Sequence, residues 1–170
     1  TLDIDAMMIE MYESKEKTAS ACPSPDAFLE AYRGAENVIA ITITGGLSGS
    51  QNSAQLAKKM LLEEAPETNI EVFDSLSASG EMVLFVQKAN ELIAQGLSFE
   101  EVVAALKEYL ASTKLLFALA RVDNLVKNGR LNKLVGAVIG MLNIRLVGDA
   151  SPEGTLNLLH KAKGQKKAVQ

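Results

Sequence analysis

The sequence VIAITITGGLSGSQNSA, from Val38 to Ala54, contains the pattern of a strand, a turn and the beginning of a helix. Its first half is a continuous apolar and β-branched run, which is typical of a strand buried on both faces of a parallel sheet. A glycine- and serine-rich turn follows over residues 45–50, and apolar residues then recur at helical spacing. Glycines let the backbone approach a ligand closely, and the first N–H groups of a helix lack partners within it. The pattern therefore predicts a site for a carboxylate or phosphate, with Ser48 and Ser50 as hydroxyl donors.

The chain continues this alternation of strands and helices on the C-terminal side. Apolar runs over residues 69–75 and 114–122 predict two more strands, and residues 81–95 predict a helix between them. Ser98 and Glu101 have the spacing of a capping box, which predicts the start of a further helix. The order βαβααβ predicts a three-layer α/β/α domain with a parallel sheet. Because ligands bind beyond the carboxyl ends of parallel strands, the glycine-rich turn falls at the ligand-binding edge.

The last third of the sequence has a different pattern. Residues 131–142 are apolar with small side chains and predict a buried helix, and two short strands are predicted from residue 143 to residue 161. We therefore divide the chain into an α/β domain over residues 1–122 and the beginning of a second α/β domain, with a mixed or antiparallel sheet, over residues 123–170. Because the chain starts without methionine and ends in a Lys-rich segment, we interpret it as a fragment.

Composition excludes several classes of protein. The 170 residues are 48% hydrophobic, which favours a globular fold, and the net charge of -4 argues against general nucleic-acid binding. The single cysteine, Cys22, excludes an internal disulfide framework and is typical of a reducing compartment. The sequence contains no signal-peptide pattern and no apolar run of membrane-spanning length. We therefore expect a cytoplasmic protein without an integral membrane segment or a nucleic-acid partner.

The residues alone leave several functions open. The turn nearly matches the nucleophile elbow G-x-S-x-G, which would make Ser48 the nucleophile of a hydrolase or transferase, but Ser50 stands where the second glycine is required. Such an enzyme needs a base, for which Asp74 and His160 are the candidates; capping of the following helix is the more ordinary role of Asp74. The single histidine argues against a metal site, and Cys22 is better explained as a packed or half-exposed thiol. A ligand-free turn is a further alternative.

The C-terminal third is rich in lysine and arginine, which suggests contact with an acidic molecule. Arg130 follows Asn128 and Gly129 in a predicted turn that exposes its side chain. A regulatory domain that docks an acidic partner is therefore another possible function, while a solvated surface is the simpler interpretation.

Five segments in order resemble motifs of the DegV family, which are bacterial fatty-acid-binding proteins. The family carries T-S-Q-P-S-P, then I-T-I-S-S-x-L-S-G-T-Y-x-S-A, D-S-x-x-x-S-x-G, K-x-G-R and L-N-I-K-P-I segments. The matching segments here are SACPSP at 20–25, ITITGGLSGSQNSA at 41–54, DSLSASG at 74–80, KNGR at 127–130 and LNIRL at 142–146. The N-terminal strand of the family and the last third of its length have no counterpart in this chain, so the resemblance implies parts of two domains.

The resemblance implies a carrier rather than an enzyme. In such a protein the carboxylate of one long-chain fatty acid is held by the serine of L-S-G, here Ser48, and by backbone N–H near Gly49. Ser20 supplies a second hydroxyl, unless Thr18 takes that place. The acyl chain lies in an apolar tunnel, and the protein presents the fatty acid to a fatty acid kinase, with Arg130 as a candidate for the kinase-facing surface. No metal or other cofactor is implied.

Overall fold

The computed structural model describes residues 3–14, 18–131 and 143–170. The chain divides into two compact units, of which the first comprises Thr1–Ala21, Ala118–Val147 and Leu159–Gln170, and the second Cys22–Phe117 and Gly148–Leu158. The helix predicted over 131–142 lies, apart from its first residue, outside the described residues. The predicted domain boundary after residue 122 stays a prediction.

The second unit contains a parallel strand–helix–strand arrangement. The first helix of the chain, α1 (Ile4–Glu13), belongs to the first unit. The elements of the second unit that follow it are α2 (Pro25–Tyr32), β1 (Asn37–Thr42), α3 (Ser50–Glu64), β2 (Asn69–Asp74), α4 (Gly80–Ala94) and α5 (Phe99–Ser112). Strands β1 and β2 pair in parallel from Asn37 opposite Asn69 to Thr42 opposite Asp74. Because the two strands end level, the turns that follow them start at the same edge of the sheet, as predicted.

Helices cover both faces of this small sheet. On one face, buried Ile70 and Val72 of β2 pack with Leu29, Ala57 and other residues of α2 and α3. On the opposite face, Phe73 packs with Phe85 and residues of α4 and α5. The alternation of neighbouring β2 residues between the two clusters follows from the two-residue period of a strand. The predicted three-layer α/β/α architecture is therefore confirmed.

A separate antiparallel sheet contains β3 (Leu116–Leu119), β4 (Ile144–Ala150) and β5 (Leu156–Lys163), in the order β3-β4-β5. The prediction that the strand within residues 114–122 joins the parallel sheet is wrong, since β3 pairs with β4. A short apolar run indicates a strand but does not specify its partner, which depends on where the two preceding helices bring the chain.

The tip of the β4–β5 hairpin, residues 151–154, is held in the second unit. Ser151 N–H donates to Thr155 O at 2.9 Å, which closes the predicted turn. Below the tip, buried Asp149 accepts a hydrogen bond from Asn157 Nδ2 at 2.7 Å and lies 2.7 Å from Lys114 Nζ. The Lys114 ammonium is the main reason why the pKa of Asp149 is held below its usual value.

The remaining elements belong to the first unit. They are α1, the short helix α6 (Asp123–Lys127) and α7 (Gln165–Ala168). Asn128 follows α6 and donates its side-chain amide to Thr18 O and Asn124 O, both at 2.8 Å. Gly129 then adopts a φ of +71°, so the turn predicted before Arg130 is confirmed.

Replacing Tyr32 with phenylalanine is expected to stabilise the protein by about 1 kcal/mol, because a buried hydroxyl without a partner costs free energy. Tyr32 is 4% exposed, and no hydrogen-bond partner of its hydroxyl lies among the described residues. Burial raises the pKa of Tyr32 to about 12, so the folded state keeps the phenol proton that the unfolded chain releases above about pH 10. The protein therefore loses stability as the pH rises from about 10 to about 12, and the stabilisation by Tyr32→Phe should grow over the same range. Urea unfolding at pH 7 and above pH 10 measures both effects, and the half-buried Tyr109→Phe is the control.

Candidate anion-binding site

The turn between β1 and α3 has a fixed backbone. Thr44 O accepts hydrogen bonds from the N–H groups of both Leu47 and Ser48, each at 3.1 Å. Ser48 Oγ in turn accepts from the N–H of Ser50, the first residue of α3, at 3.2 Å. These bonds curl the chain so that the Ser48 side chain lies at the beginning of the helix, as the sequence predicts.

The N-terminus of α3 presents backbone donors that have no acceptor among the described residues. Within the part of the chain that the structure describes, the N–H groups of Gly49, Gln51 and Asn52 have no hydrogen-bond acceptor. The first turn of α3 carries no acidic side chain that would compete with a ligand. The Ser48 and Ser50 hydroxyls, 3.0 Å apart, lie at the same end of the helix. Unpaired N–H groups, two hydroxyls and the positive end of the helix dipole together favour an anion.

Asp74 connects the two turns at this edge of the sheet. One of its carboxylate oxygens accepts from the N–H of Leu76 at 2.9 Å, and both accept from Gly45 N–H at 3.1 and 3.2 Å. The expectation that Asp74 caps the following helix is wrong, because the N-cap of α4 is Ser79. Since β1 and β2 end level, the carboxylate reaches the glycine turn across the sheet instead.

The hairpin tip contacts the same turn through Thr44, a residue that the sequence analysis missed. Thr44 is 1% exposed; its Oγ1 donates to Gly154 O at 2.8 Å and accepts from Gly46 N–H at 3.1 Å. A Cβ on Gly154 would lie 2.0 Å from Thr44 Oγ1, and one on Gly46 would lie 2.8 Å from Gly154 O. A side chain at either glycine would therefore collide with atoms of the opposite segment. No local sequence pattern around Thr44 predicts its contact with Gly154.

The proline-rich segment contributes Cys22 to the surroundings of the turn. Cys22 is exposed, and its Sγ lies 3.9 Å from the buried Ser53 Oγ. A Cβ on Gly49 would lie 3.0 Å from the same sulfur. The thiol therefore lies beside the predicted ligand-binding glycine.

The other predicted donors, Ser20 and Thr18, belong to the first unit, whereas Ser48 belongs to the second. Ser20 is exposed, while Thr18 is half-buried and accepts the Asn128 amide through its carbonyl oxygen. Joint contact of Ser20 and Ser48 with one ligand stays a prediction, and so does the choice between Ser20 and Thr18.

The described residues provide Ser48 with no catalytic base. Its hydroxyl contacts the hydroxyl and N–H of Ser50, and no histidine, carboxylate or lysine among them bonds to it. Asp74 is occupied by backbone N–H groups, and His160 is exposed on β5 in the first unit. The same residues contain no cluster of three or more His, Cys, Asp or Glu side chains suited to a metal ion.

Arg130, the predicted partner-facing residue, is exposed in the first unit, and its Nη1 donates to Asn128 O at 2.7 Å.

None of the helices formed by the described residues has the length and apolar character that a membrane crossing requires.

A parallel β–α–β unit with a glycine turn at the carboxyl edge of its sheet defines this chain as an α/β protein. Within that class, the chain belongs to the DegV family, whose family model matches residues 1–170. The resemblance predicted from the five sequence segments is therefore confirmed.

Relatives and solved structures match nearly the whole chain. A DegV domain-containing protein of Streptococcus pyogenes serotype M1 is 66% identical over 168 residues, which are 99% of this chain and 60% of that protein. The crystal structure of the Streptococcus pneumoniae Fatty Acid Kinase (Fak) B3 protein loaded with linoleic acid gives a TM-score of 0.95 and 63% identity, covering 99% of this chain and 60% of that chain. A DegV family protein from Eubacterium eligens loaded with heptadecanoic acid gives 0.93 and 36%, covering 98% and 60%. The chain thus spans 60% of the length of the curated relatives it matches.

Proposed function

We propose that this protein binds one long-chain fatty acid and presents it to a fatty acid kinase without chemistry of its own. The observation that carries the proposal is the set of N–H groups beside the Ser48 hydroxyl, at the start of α3, that have no acceptor among the described residues. These donors suit a carboxylate, and the relatives from Streptococcus pneumoniae and Eubacterium eligens are described as loaded with linoleic and heptadecanoic acid.

In the proposed complex the carboxylate lies at the Gly-Leu-Ser-Gly turn. Ser48 Oγ accepts from Ser50 N–H and, in this proposal, also from the Ser50 hydroxyl 3.0 Å away, which leaves its own proton for a carboxylate oxygen. Gly49 N–H is a second donor, and Ser20, or Thr18 in its place, is a third. In this proposal hydroxyl and backbone donors hold the carboxylate without an arginine, which leaves it reactive toward a kinase.

We also propose that the protein is located in the cytoplasm.

The acyl chain supplies most of the affinity in this proposal. Burying about 14 methylenes in an apolar tunnel, at ~0.8 kcal/mol each, would contribute ~11 kcal/mol. Loss of translational and chain freedom offsets about 4 kcal/mol or more of this. The head-group donors then fix the orientation of the ligand and select for an acid.

Mass spectrometry of an organic extract tests the proposal directly. The purified protein is expected to release long-chain fatty acid in an amount equimolar with protein, and protein stripped of lipid should bind added linoleic acid. The control is an equal amount of protein treated with the extraction solvent after delipidation. An empty extract together with failure to bind added fatty acid would refute the carrier function.

The second part of the proposal concerns the kinase partner, and Arg130 is our candidate for its docking surface. The Arg130→Glu variant is expected to bind the kinase about tenfold more weakly, a change of roughly 1.4 kcal/mol, because a cation becomes an anion at the contact. Linoleic acid binding should not change. Surface plasmon resonance with the fatty acid kinase measures the first effect, and Lys59→Glu, a reversal at an exposed lysine of α3, is the matched control. Equal effects of the two variants would argue against a role for Arg130.

A further inference from the structure

We propose that Thr44 is a positioning residue for the carboxylate, and that it makes the tip of the β4–β5 hairpin part of head-group recognition. The inference rests on the proposed function, because it assigns a task within the same site. Thr44 itself is buried and does not touch the ligand; it acts through the turn that carries Ser48 and Gly49.

Thr44 holds the head-group turn from two sides. Its carbonyl oxygen accepts from the N–H groups of Leu47 and Ser48, each at 3.1 Å, and so sets the direction of the chain entering α3. Its hydroxyl accepts from Gly46 N–H at 3.1 Å and donates to Gly154 O at 2.8 Å. A hydroxyl has one proton, so donation to the hairpin fixes the orientation in which its lone pair meets Gly46.

Hydrogen bonds within the hairpin tip hold the residues around Gly154, whose carbonyl accepts from the Thr44 hydroxyl. Ser151 Oγ accepts from the N–H groups of Glu153 and Thr155, both at 3.2 Å, and Ser151 O accepts from Gly154 N–H at 2.8 Å. Gly154 is buried with a φ of +71°, a conformation that disfavours any other residue. The Gly154 carbonyl is therefore held in place, and the turn at Thr44 is set by a segment far away in the sequence.

The turn is also tied to the neighbouring strand, so Thr44 acts within a small network. Thr44 N–H donates to Ser77 O at 2.8 Å, and Gly45 N–H donates to Asp74. These bonds keep the backbone at Thr44 and Gly45 in position when the Thr44 hydroxyl is removed. Removal should therefore loosen the turn at Gly46, whose N–H bonds to the Thr44 hydroxyl, while the strands stay folded.

The test compares linoleic acid with linoleyl alcohol, which have the same tail and differ in the head group. The Thr44→Val variant is expected to bind linoleic acid about tenfold more weakly, the effect of one lost hydrogen bond to a charged group, with less than a twofold change for the alcohol. Thr44→Ser should restore the preference for the acid, because it keeps the hydroxyl. The control is Thr113→Val, which removes a hydroxyl that donates to Leu110 O at the end of α5 and should change neither affinity. Competition with a fluorescent fatty acid gives all the dissociation constants.

A change in overall stability alone would lower both affinities together, whereas the inference requires a changed ratio. If the unmodified protein prefers the acid and Thr44→Val keeps that preference, or if Thr44→Ser behaves like Thr44→Val, the inference is overturned and the carrier function stands. If the unmodified protein binds neither molecule, the proposed function fails and the inference fails with it.

A second measurement uses the unmodified protein and does not depend on the folding of a variant. Amide hydrogen exchange at Gly46 and Gly154 should slow more with saturating linoleic acid than with saturating linoleyl alcohol, because the carboxylate holds the turn and the turn holds the hairpin tip. Equal exchange rates in the two complexes would overturn the proposed coupling.

Discussion

Replacing Ser48 with alanine is expected to weaken linoleic acid binding by about 10- to 150-fold, because a hydrogen bond to a charged group contributes roughly 1.5–3 kcal/mol. The Ser48 hydroxyl is placed at the start of α3 by its bond from Ser50 N–H, and its proton is the proposed donor to the carboxylate. Linoleyl alcohol should lose less than about tenfold, since a bond between neutral groups is weaker. Isothermal titration calorimetry on protein stripped of lipid measures both.

The loss of the Ser48 hydroxyl also removes the acceptor of the Ser50 N–H at the start of α3, and a control variant separates this structural effect from the effect on binding. Ser98 caps α5 by accepting from Glu101 N–H, in the capping box that the sequence predicts. Ser98→Ala is expected to lower the free energy of unfolding by about 1 kcal/mol with no effect on fatty-acid binding. Should Ser48→Ala weaken acid and alcohol by the same factor, the Ser48 hydroxyl would serve only as the acceptor of Ser50 N–H and not as a head-group donor.

Alanine in place of Gly148 is expected to lower the free energy of unfolding by about 3 kcal/mol or more, the upper range for overpacking of a filled interior. Gly148 lies buried in β4, and a Cβ there would stand 2.2 Å from Asn157 O and 2.5 Å from Phe117 Cζ. The carbonyl belongs to the backbone of β5, so the side chain can be accommodated only if the strands move apart. Urea unfolding followed by circular dichroism measures the difference.

Gly80→Ala is the matched control for this prediction. Gly80 is the first residue of α4, and a Cβ there would have no atom within 4 Å. Its free energy of unfolding should change by about 0.5 kcal/mol or less, since the site is open and alanine favours a helix. If Gly148→Ala is as stable as Gly80→Ala, the close approach of β4 and β5 in this structure is wrong.

The sequence predicted the elements whose signals are local. The strand before the glycine turn ends at Thr42 and the following helix begins at Ser50, close to the expected limits. Ser98 accepts from Glu101 N–H as the cap of α5, as its spacing from Glu101 predicts. In the site, Ser48 and Gly49 are at the start of α3 for the same reason, because a strand, a glycine turn and a helix follow one another along the chain.

Contacts between residues that are far apart in the sequence could not be predicted from local signals. The partner of β3 was predicted wrongly because an apolar run does not specify which strand it joins. The carboxylate of Asp74 was expected to cap a helix, yet it binds Gly45 N–H, which only the level ends of β1 and β2 bring within reach. No sequence pattern predicted the role of Thr44, because its hydrogen-bond partner Gly154 is 110 residues away along the chain.

The sequence is sufficient to predict the type and approximate limits of most helices and strands, the glycine turn before α3 and the membership of the DegV family. These depend on the period of apolar residues, on caps and on motifs, and all of them act over a few neighbouring positions. Tertiary structure alone decided what holds that turn, namely Asp74 from the next strand and Gly154 from the hairpin. The physical reason is that a hydrogen bond between distant residues forms only after packing has brought donor and acceptor within about 3 Å of each other.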